Sequence, residues 1–251
     1  MNQLKIEWHI FQHAIIFFSR IPTPQSFQYD ETRTKHAVRY LPLIGYLVGL
    51  CAMLVFLGMN QFFSLEISIF FSMLSTIILT GALHEDGFVD FCDSLGGMTI
   101  EKRLNIMKDS NMGAYGGIGL WSILSAKYIF LTHIPANLLP AVLISGHVFS
   151  RFFILFLMIF LPYAGKKEVS KSVSLVETIH IKNICIASAI TGLMAFFLPA
   201  FHLFTLPVLS GIILILYWYF KKSLGGYTGD YLGAAQQMTE VAHYLCILHI
   251  C

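Results

Sequence analysis

Between residues 67 and 93 the chain reads ISIFFSMLSTIILTGALHEDGFVDFCD, so that a long apolar run passes directly into four acidic residues within nine positions. The whole chain of 251 residues is 56% hydrophobic and only 12% charged, and its mean hydropathy is +0.70. A soluble domain of this size needs a more highly charged surface, so the composition indicates a protein that uses the lipid bilayer as its solvent. We therefore interpret 67–83 as a membrane helix, with the carboxylates that follow it gathered at one membrane edge.

Apolar runs of nearly the ~20 residues that one crossing needs recur along the whole sequence. Backbone groups in lipid must be hydrogen-bonded internally, and these unbroken runs are unlike the alternating segments of a β-barrel. The sequence therefore predicts an all-α, polytopic integral membrane protein with about six to seven transmembrane helices, in which 1–251 form a single membrane-embedded domain. The six clear runs and a seventh, more polar one lie at about 41–58, 67–83, 117–133, 138–161, 183–203, 205–220 and 231–250.

Residues 4–18 predict an amphipathic helix at the N-terminus. The run is short, and no small-residue cleavage site follows it, so it is not interpreted as a cleavable signal. We interpret it as an interfacial helix lying on the membrane, with an ordinary half-buried packing helix as the alternative. Helical spacing places Trp8, Phe11, Ile15 and Phe18 on one face and Lys5, His9 and Gln12 on the other.

Lys and Arg residues predict the orientation of these helices. The connections near 59–66, 134–137 and 204 contain neither residue, whereas all 16 Lys and Arg residues except Lys127 and Arg151 lie in the alternate connections. The positive-inside rule places those basic connections, including the one with the acidic motif, in the cytoplasm. A net charge of +2 gives no indication of nucleic acid as a partner, and five cysteines without paired spacing indicate neither a disulfide framework nor a zinc site.

The acidic motif has the spacing of a metal-binding helix face. Asp86, Asp90 and Asp93 stand at i, i+4 and i+7, which at ~100° per residue places them within an arc of roughly 60° on a helix. Three carboxylates on one face repel each other unless a cation lies among them, and ligands that are all oxygen favour Mg²⁺ or Mn²⁺ over zinc. A solvated cap on a membrane helix is the alternative, but it would not require such regular spacing.

Four stretches, in order along the chain, resemble the cobalamin synthase family. They are F-S-R-I-P-T-P at 18–24, Y-L-P-L-I-G at 40–45, a long segment at 84–117 and G-G-Y-T-G-D-Y-L-G-A at 225–234. The long segment contains H-x-D-G-x-x-D-x-x-D, then M-K-D-S and then G-x-x-G-G. The resemblance implies an adenosylcobinamide-GDP ribazoletransferase in a bacterial inner membrane, with the active site facing the cytoplasm.

The resemblance also implies the reaction and its participants. An adenosylcobinamide-phosphate group passes from adenosylcobinamide-GDP to α-ribazole or its 5′-phosphate, giving adenosylcobalamin, or its 5′-phosphate, and GMP. Mg²⁺ is the expected cofactor, because aspartates that hold it against the pyrophosphate neutralise charge while a further carboxylate or histidine takes the proton of the attacking hydroxyl. The lipid bilayer is a further partner, and homo-oligomerisation is left open.

On this basis we assign Asp86, Asp90 and Asp93 to the metal and the pyrophosphate, and either His84 or Asp93 to the general base. Arg151 lies at membrane depth, where an arginine is costly unless it faces a cavity or a partner. We expect it to line the active cavity and meet phosphate, with an internal ion pair to a helix carboxylate such as Glu240 as the alternative.

Two further segments are predicted to contact the substrates. Lys108, Asp109 and Ser110 are expected at the nucleotide end, with an ordinary surface salt-bridge cluster as the alternative. Many family members carry Arg where this chain has Asn111, and an asparagine cannot clamp a phosphate in bidentate fashion. The glycines of 113–119 could let backbone N–H groups approach a phosphate at a helix N-terminus or could serve close helix packing.

The segment Thr228-Gly229-Asp230 is the last predicted part of the site. Asp230 is expected to be a further metal or ribazole ligand, and Thr228 a substrate contact. The alternative is a helix N-cap, which either side chain would satisfy.

Two other functions are alternatives to this one. A CDP-alcohol phosphotransferase of phospholipid synthesis would carry D-x-x-D-G before A-R, and neither is present. A cation transporter with an acidic vestibule would usually need ionisable residues deep in several helices, and this chain has few.

Overall fold

The computed structural model describes residues 3–23, 29–165, 181–197 and 199–251. Within these ranges the chain is helical apart from connections and one isolated parallel bridge between Tyr163 and Tyr227, which confirms the all-α prediction. Pro24, which belongs to a stretch that resembles the family, and residues 166–180, which belong to a predicted basic connection, lie outside the described residues. The α-helices are α1 (Gln3–Phe18), α2 (Glu31–Ala37), α3 (Leu41–Met59), α4 (Leu65–Thr80), α5 (Leu83–Ser94), α6 (Ile100–Ile106), α7 (Ala114–His133), α8 (Leu139–Phe160), α9 (Ile181–Gly192), α10 (Met194–Phe197), α11 (Leu206–Leu224) and α12 (Gly229–Ile250), with 3₁₀ turns at Val38–Tyr40 and Ala200–Thr205.

Three helical segments of the described chain are long and apolar enough to cross a membrane on their own. They are Thr32–Met59, Leu139–Phe160 and His202–Leu224. A fourth is reached only if α4 and α5 count as one broken span, and α5 is bent away from α4 by 87°. A helix at nearly a right angle does not continue the crossing, so we treat α5 as a separate helix outside the spans.

The polytopic membrane architecture is therefore confirmed, with three helices of the described residues clearly able to cross, or four with the bent pair, and the full number of six to seven crossings stays a prediction. The apolar run 183–203 does not form one helix, because it is divided among α9, α10 and a 3₁₀ turn. Helix α12 is long enough, but Gln236, Gln237 and Glu240 make it less apolar than the three segments that can span alone. Apolar composition alone did not reveal these breaks.

Helices α3 and α8 form the most closely packed pair at the centre of the bundle. A Cβ atom built on Gly45 would lie 2.6 Å from the His147 carbonyl oxygen, and one built on Gly49 would lie 2.7 Å from the Ile144 Cα. These two glycines, four residues apart on one face of α3, let the helix backbones meet in antiparallel fashion, as small residues do between membrane helices.

The junction between α4 and α5 directs α5 across the end of the bundle. Gly81 and Ala82 both have left-handed backbone conformations, with φ of 66° and 56°. Such a conformation costs a non-glycine residue roughly 1 kcal/mol or more, so the surrounding contacts must hold Ala82 in place. The Arg20 backbone N–H donates to the Leu79 carbonyl at 2.7 Å, which ties the end of α1 to this junction.

Helix α1 packs on the protein through one of its sides. Gln12 is buried, whereas Trp8 is 56% exposed and its ring lies 5.8 Å from that of Phe11, with which it was predicted to share a face. The Asp30 backbone N–H donates to His13 Nε2 at 3.0 Å beside the buried Ile10. The interfacial location of α1 stays a prediction.

Candidate active site

Close packing of α5 against α12 brings the acidic motif to a carboxylate from the other end of the chain. A Cβ atom built on Gly87 would lie 3.0 Å from the Asp230 Cα, and one built on Gly233 would lie 3.3 Å from the Gly87 Cα. Only glycine allows the two backbones to approach so closely. Asp230 is consequently placed beside Asp86, the residue that precedes Gly87.

Asp86, Asp90, Asp93 and Asp230 lie close enough to shift one another's pKa and so form one acidic cluster. Burial, followed by the negative charges of Asp230, Asp86 and Asp93, raises the pKa of Asp90 to about 7. Burial and the charge of Asp86 likewise raise the pKa of Asp230 to about 6. Like charges produce such shifts only when they lie close together in a partly dry environment, so the cluster favours a positive ion among its members.

The cluster is not a complete metal cage. Among the described residues, no three His, Cys, Asp or Glu side chains are arranged to hold one ion. Mg²⁺ is usually bound by one or two protein carboxylates together with water and substrate phosphates. Uncompensated carboxylates such as Asp86 and Asp90 fit that kind of site, in which the substrate supplies the remaining ligands.

Asp93 has a contact that the sequence did not predict. Its Oδ2 accepts the Gly113 N–H at 2.8 Å, and its Oδ1 accepts the Gly116 N–H at 2.7 Å. The carboxylate thus satisfies backbone donors at the start of α7. A Cβ atom on Gly119 would lie 2.5 Å from Cys92 Sγ, so the glycines of this segment serve close packing of α7 on α5.

A cavity of about 210 Å³ opens beside Asp86 and Asp230. His84 lines it, is only 5% exposed and makes no hydrogen bond to any described residue. Burial, followed by the positive charge of Arg151, lowers the pKa of the His84 imidazole well below its ordinary value. Its position on the cavity wall, rather than its lowered pKa, makes His84 available to a group bound there, whereas Asp93 already accepts two N–H bonds.

Thr228 and Asp230 have separate roles at the start of α12. The Thr228 hydroxyl accepts the Tyr231 N–H at 3.3 Å, so Thr228 is the N-cap that the sequence left as the alternative. Asp230 instead lines the cavity with Asp86.

The predicted nucleotide contacts lie away from this cavity. Lys108, Asp109 and Ser110 are exposed in the connection after α6 and are absent from the cavity wall. Asp109 accepts the backbone N–H of Asn111 at 3.0 Å and its side-chain amide at 2.8 Å, and these bonds lower the pKa of the Asp109 carboxyl. In this structure Asn111 closes a local turn with Asp109. An arginine at this position would place a positive charge there instead.

Arg151 is also placed elsewhere. It is 2% exposed inside the bundle, outside the cavity wall, and its Nη1 donates to the His147 carbonyl at 3.1 Å. The predicted partner Glu240 forms its ion pair with Lys127 instead, at 2.9 Å between Nζ and Oε1. Among the described residues Arg151 forms no direct pair with Glu240 and does not line the cavity beside Asp86, and its predicted contact with phosphate stays a prediction.

Sequence reasoning missed the buried polar network around that ion pair. Gln236 donates to Glu240 at 2.7 Å, and its neighbour Gln237 donates to Glu85 at 3.0 Å. The Tyr244 hydroxyl donates to Glu240 at 3.1 Å. The network links α5, α7, α8 and α12 directly behind the acidic cluster. The sequence did contain the polar residues of this network within its apolar runs, but it did not reveal which of them contact each other.

The chain is similar to known proteins over nearly its full length. A family model described as cobalamin-5-phosphate synthase matches residues 10–248. A protein of Vibrio cholerae serotype O1 named adenosylcobinamide-GDP ribazoletransferase is 37% identical over 251 residues, which cover 98% of this chain and 95% of the relative. Proteins of the same name from Vibrio vulnificus and Shewanella pealeana are 35% and 37% identical, covering 100% and 99% of this chain and 99% and 98% of the relatives. No solved structure matches.

Proposed function

This chain belongs to the cobalamin-5-phosphate synthase family, and we propose that it is a magnesium-dependent adenosylcobinamide-GDP ribazoletransferase. It transfers the adenosylcobinamide-phosphate group from adenosylcobinamide-GDP to α-ribazole or its 5′-phosphate. The products are adenosylcobalamin, or its 5′-phosphate, and GMP. The names and near-complete coverage of the relatives support the activity, and the carboxylate cluster beside the cavity is the observation that supports the chemistry.

The proposed metal site draws on Asp86, Asp90 and Asp93, of which one or two would bind the ion directly while water and substrate phosphate supply the other ligands, and Asp230 is a further carboxylate beside it. Magnesium, when bound, would neutralise the pyrophosphate and the departing GMP. The mutual repulsion of the carboxylates supports this assignment, because a divalent ion removes it. Asp93 also binds the start of α7, so it couples the position of α7 to the cluster.

We assign the general base to His84. Its imidazole lines the cavity, has no hydrogen-bond partner among the described residues, and would take the proton of the acceptor hydroxyl. The hydroxyl oxygen then attacks the phosphorus attached to cobinamide, the bond from that phosphorus to the bridging oxygen breaks, and GMP leaves with the electron pair. Asp86 and Asp230, on the same wall, hold the reacting groups in line.

The location of the active site is proposed from charge. The basic connections, which include the one containing the acidic motif, lie on the cytoplasmic side of a bacterial inner membrane according to the positive-inside rule. Both substrates are water-soluble phosphate or nucleoside compounds, so a cytoplasmic cavity gives them access. Homo-oligomerisation is left open.

The test uses purified full-length protein in lipid. GMP release should require adenosylcobinamide-GDP, α-ribazole and Mg²⁺ together. Asp86→Asn and Asp90→Asn should each lower turnover at least about 100-fold, because a lost ligand removes charge stabilisation. Glu101→Gln, at an exposed position of α6, is the matched control and should keep normal turnover. Normal turnover in either aspartate variant would overturn the metal assignment, and GMP release without ribazole would overturn the reaction.

A further inference from the structure

A groove lies between α8 and α11 and has a volume of about 530 Å³. It shares no lining residue with the cavity beside Asp86. The wall formed by α8 is aromatic, because four phenylalanines line it: Phe152, Phe153, Phe156 and Phe160. The wall formed by α11 is mainly aliphatic, and the Ser210 hydroxyl on it already donates to the Leu206 carbonyl at 2.8 Å. The groove therefore suits a hydrocarbon ligand.

The length of the groove matches one leaflet of a bilayer. Both walls belong to segments that are long and apolar enough to cross a membrane, Leu139–Phe160 and His202–Leu224. Along α11 the lining residues extend from Leu206 to Tyr217, a rise of about 16 Å at ~1.5 Å per residue. The hydrocarbon core of a bilayer is about 30 Å thick, so the groove reaches through about half of it. An acyl chain of a single lipid spans the same depth.

Helices α8 and α11 end on the same side of the bundle. The Tyr227 N–H donates to the Pro162 carbonyl at 3.0 Å, and these two residues follow closely on the last residues of α11 and α8. The two helices therefore run in the same direction, with Phe160 and Tyr217 toward their shared end. The positive-inside rule assigns this end to the cytoplasm, where anionic lipids give a leaflet a negative surface.

A lysine stands at this end of the groove, one helical turn beyond Tyr217. The Lys221 Nζ donates to the Tyr217 hydroxyl at 3.5 Å, and it lies 5.6 Å from the centre of that ring and 5.5 Å from the centre of the Trp218 ring. These contacts keep the ammonium group beside the groove. Among the described residues no carboxylate forms an ion pair with Lys221, so its charge is available to an anion.

We propose that the groove between α8 and α11 binds an acyl chain of an anionic phospholipid, whose phosphate pairs with Lys221. The apolar walls bind the chain, and the lysine selects the headgroup. A zwitterionic lipid carries the same phosphate together with a cation, which opposes the charge of Lys221 and weakens binding. The bound lipid contacts both helices, so it stabilises the folded protein by mass action.

The first measurement compares phosphatidylglycerol with phosphatidylcholine of identical acyl chains. Purified full-length protein in micelles is titrated with each lipid, and bound lipid is counted by native mass spectrometry. Phosphatidylglycerol should bind about fivefold more tightly, which is the effect of one lysine near an anionic membrane surface. Glycerol 3-phosphate, which has the phosphate without the chain, should not displace it. Equal affinities for the two lipids, or displacement by glycerol 3-phosphate, would overturn the proposal.

The second measurement compares two adjacent lysines. Lys221→Gln should lower the affinity for phosphatidylglycerol about fivefold and leave that for phosphatidylcholine unchanged. Lys222→Gln is the matched control, because Lys222 lines a different cleft together with Arg103. It should change the affinity for phosphatidylglycerol less than about twofold, since its charge is directed away from the groove. Equal losses in the two variants would show only diffuse attraction to the membrane surface and would sink the proposal.

The third measurement fills the groove. Leu214→Trp, at a 57% exposed position of the wall, should lower the affinity for both lipids at least about fivefold, because the larger ring occupies the space of the chain. Phosphatidylglycerol should then no longer raise the unfolding temperature of the protein. Ile215→Trp, at a 65% exposed position outside the groove, is the matched control. If Leu214→Trp does not fold, Ser210→Phe, at another exposed position of the wall, replaces it with the same expected result.

Unchanged lipid binding in the variant that fills the groove, or an equal loss in Ile215→Trp, would contradict the proposal. None of these measurements uses ribazole transfer. They therefore decide the lipid site whether or not the proposed reaction is correct.

Discussion

Removal of Lys127 should destabilise the protein strongly, because this side chain is half of a buried ion pair. Lys127 Nζ lies 2.9 Å from Glu240 Oε1, and the two side chains are only 6% and 3% exposed. Breaking a buried pair by removing one partner typically costs about 3–5 kcal/mol, since the other charge stays buried without compensation. Glu240 would keep the hydroxyl of Tyr244 and the amide of Gln236, so we expect Lys127→Met to cost about 3 kcal/mol, the lower end of that range.

A double-mutant cycle isolates the contribution of the pair. Glu240→Gln alone should also cost about 3 kcal/mol, because it leaves the Lys127 ammonium buried without an opposite charge. The double variant Lys127→Met with Glu240→Gln should cost less than the sum of the single changes, by about 2 kcal/mol. Lys102→Met, at an exposed position of α6, is the control and should change stability by less than about 0.5 kcal/mol.

The assay is unfolding of the purified protein in mixed micelles, followed by loss of helical circular dichroism. Single variants within about 1 kcal/mol of the wild type would refute the reasoning, because the pair would then be compensated by neighbours or by water. Strict additivity in the double variant would refute it too, since the two residues would not act through each other.

Two further predictions test the acidic cluster. Gly87→Ala should lower turnover in the ribazole transfer assay at least about tenfold, because its Cβ would press on the Asp230 backbone and displace α12. Gly58→Ala is the control and should leave turnover unchanged, because its Cβ would meet open space. Without metal, the protein should unfold at a higher temperature near about pH 5 than near about pH 8, measured in micelles. The folded-state pKa of Asp90, about 7, lies above the ordinary value of 3.8, so between these values the folded state binds more protons and stability rises as pH falls. Asp90→Asn should reduce this difference, and an unchanged pH dependence in that variant would contradict the assignment.

Helical spacing was sufficient to predict several local features of the site. Asp86 and Asp90 belong to α5 as expected, and the segment Thr228-Gly229-Asp230 does begin a helix. Such features depend on contacts within about one helical turn, which the sequence contains directly. The same spacing could not show that Asp93 turns to α7 or that Arg151 avoids the cavity, because those outcomes depend on which helices are neighbours.

The sequence by itself determined the all-α class, the apolar helices of a membrane protein and the spacing of the acidic motif along α5, since composition and short-range periodicity govern these properties. Tertiary structure alone decided the bend between α4 and α5, the approach of α5 to α12 at Gly87, the pairing of Lys127 with Glu240 and the cavity beside His84. These depend on residues far apart in the chain, and helix packing chooses among several partners that sequence spacing allows equally. Buried charge and close glycine contacts make that choice, because each is favourable in only one arrangement of the helices.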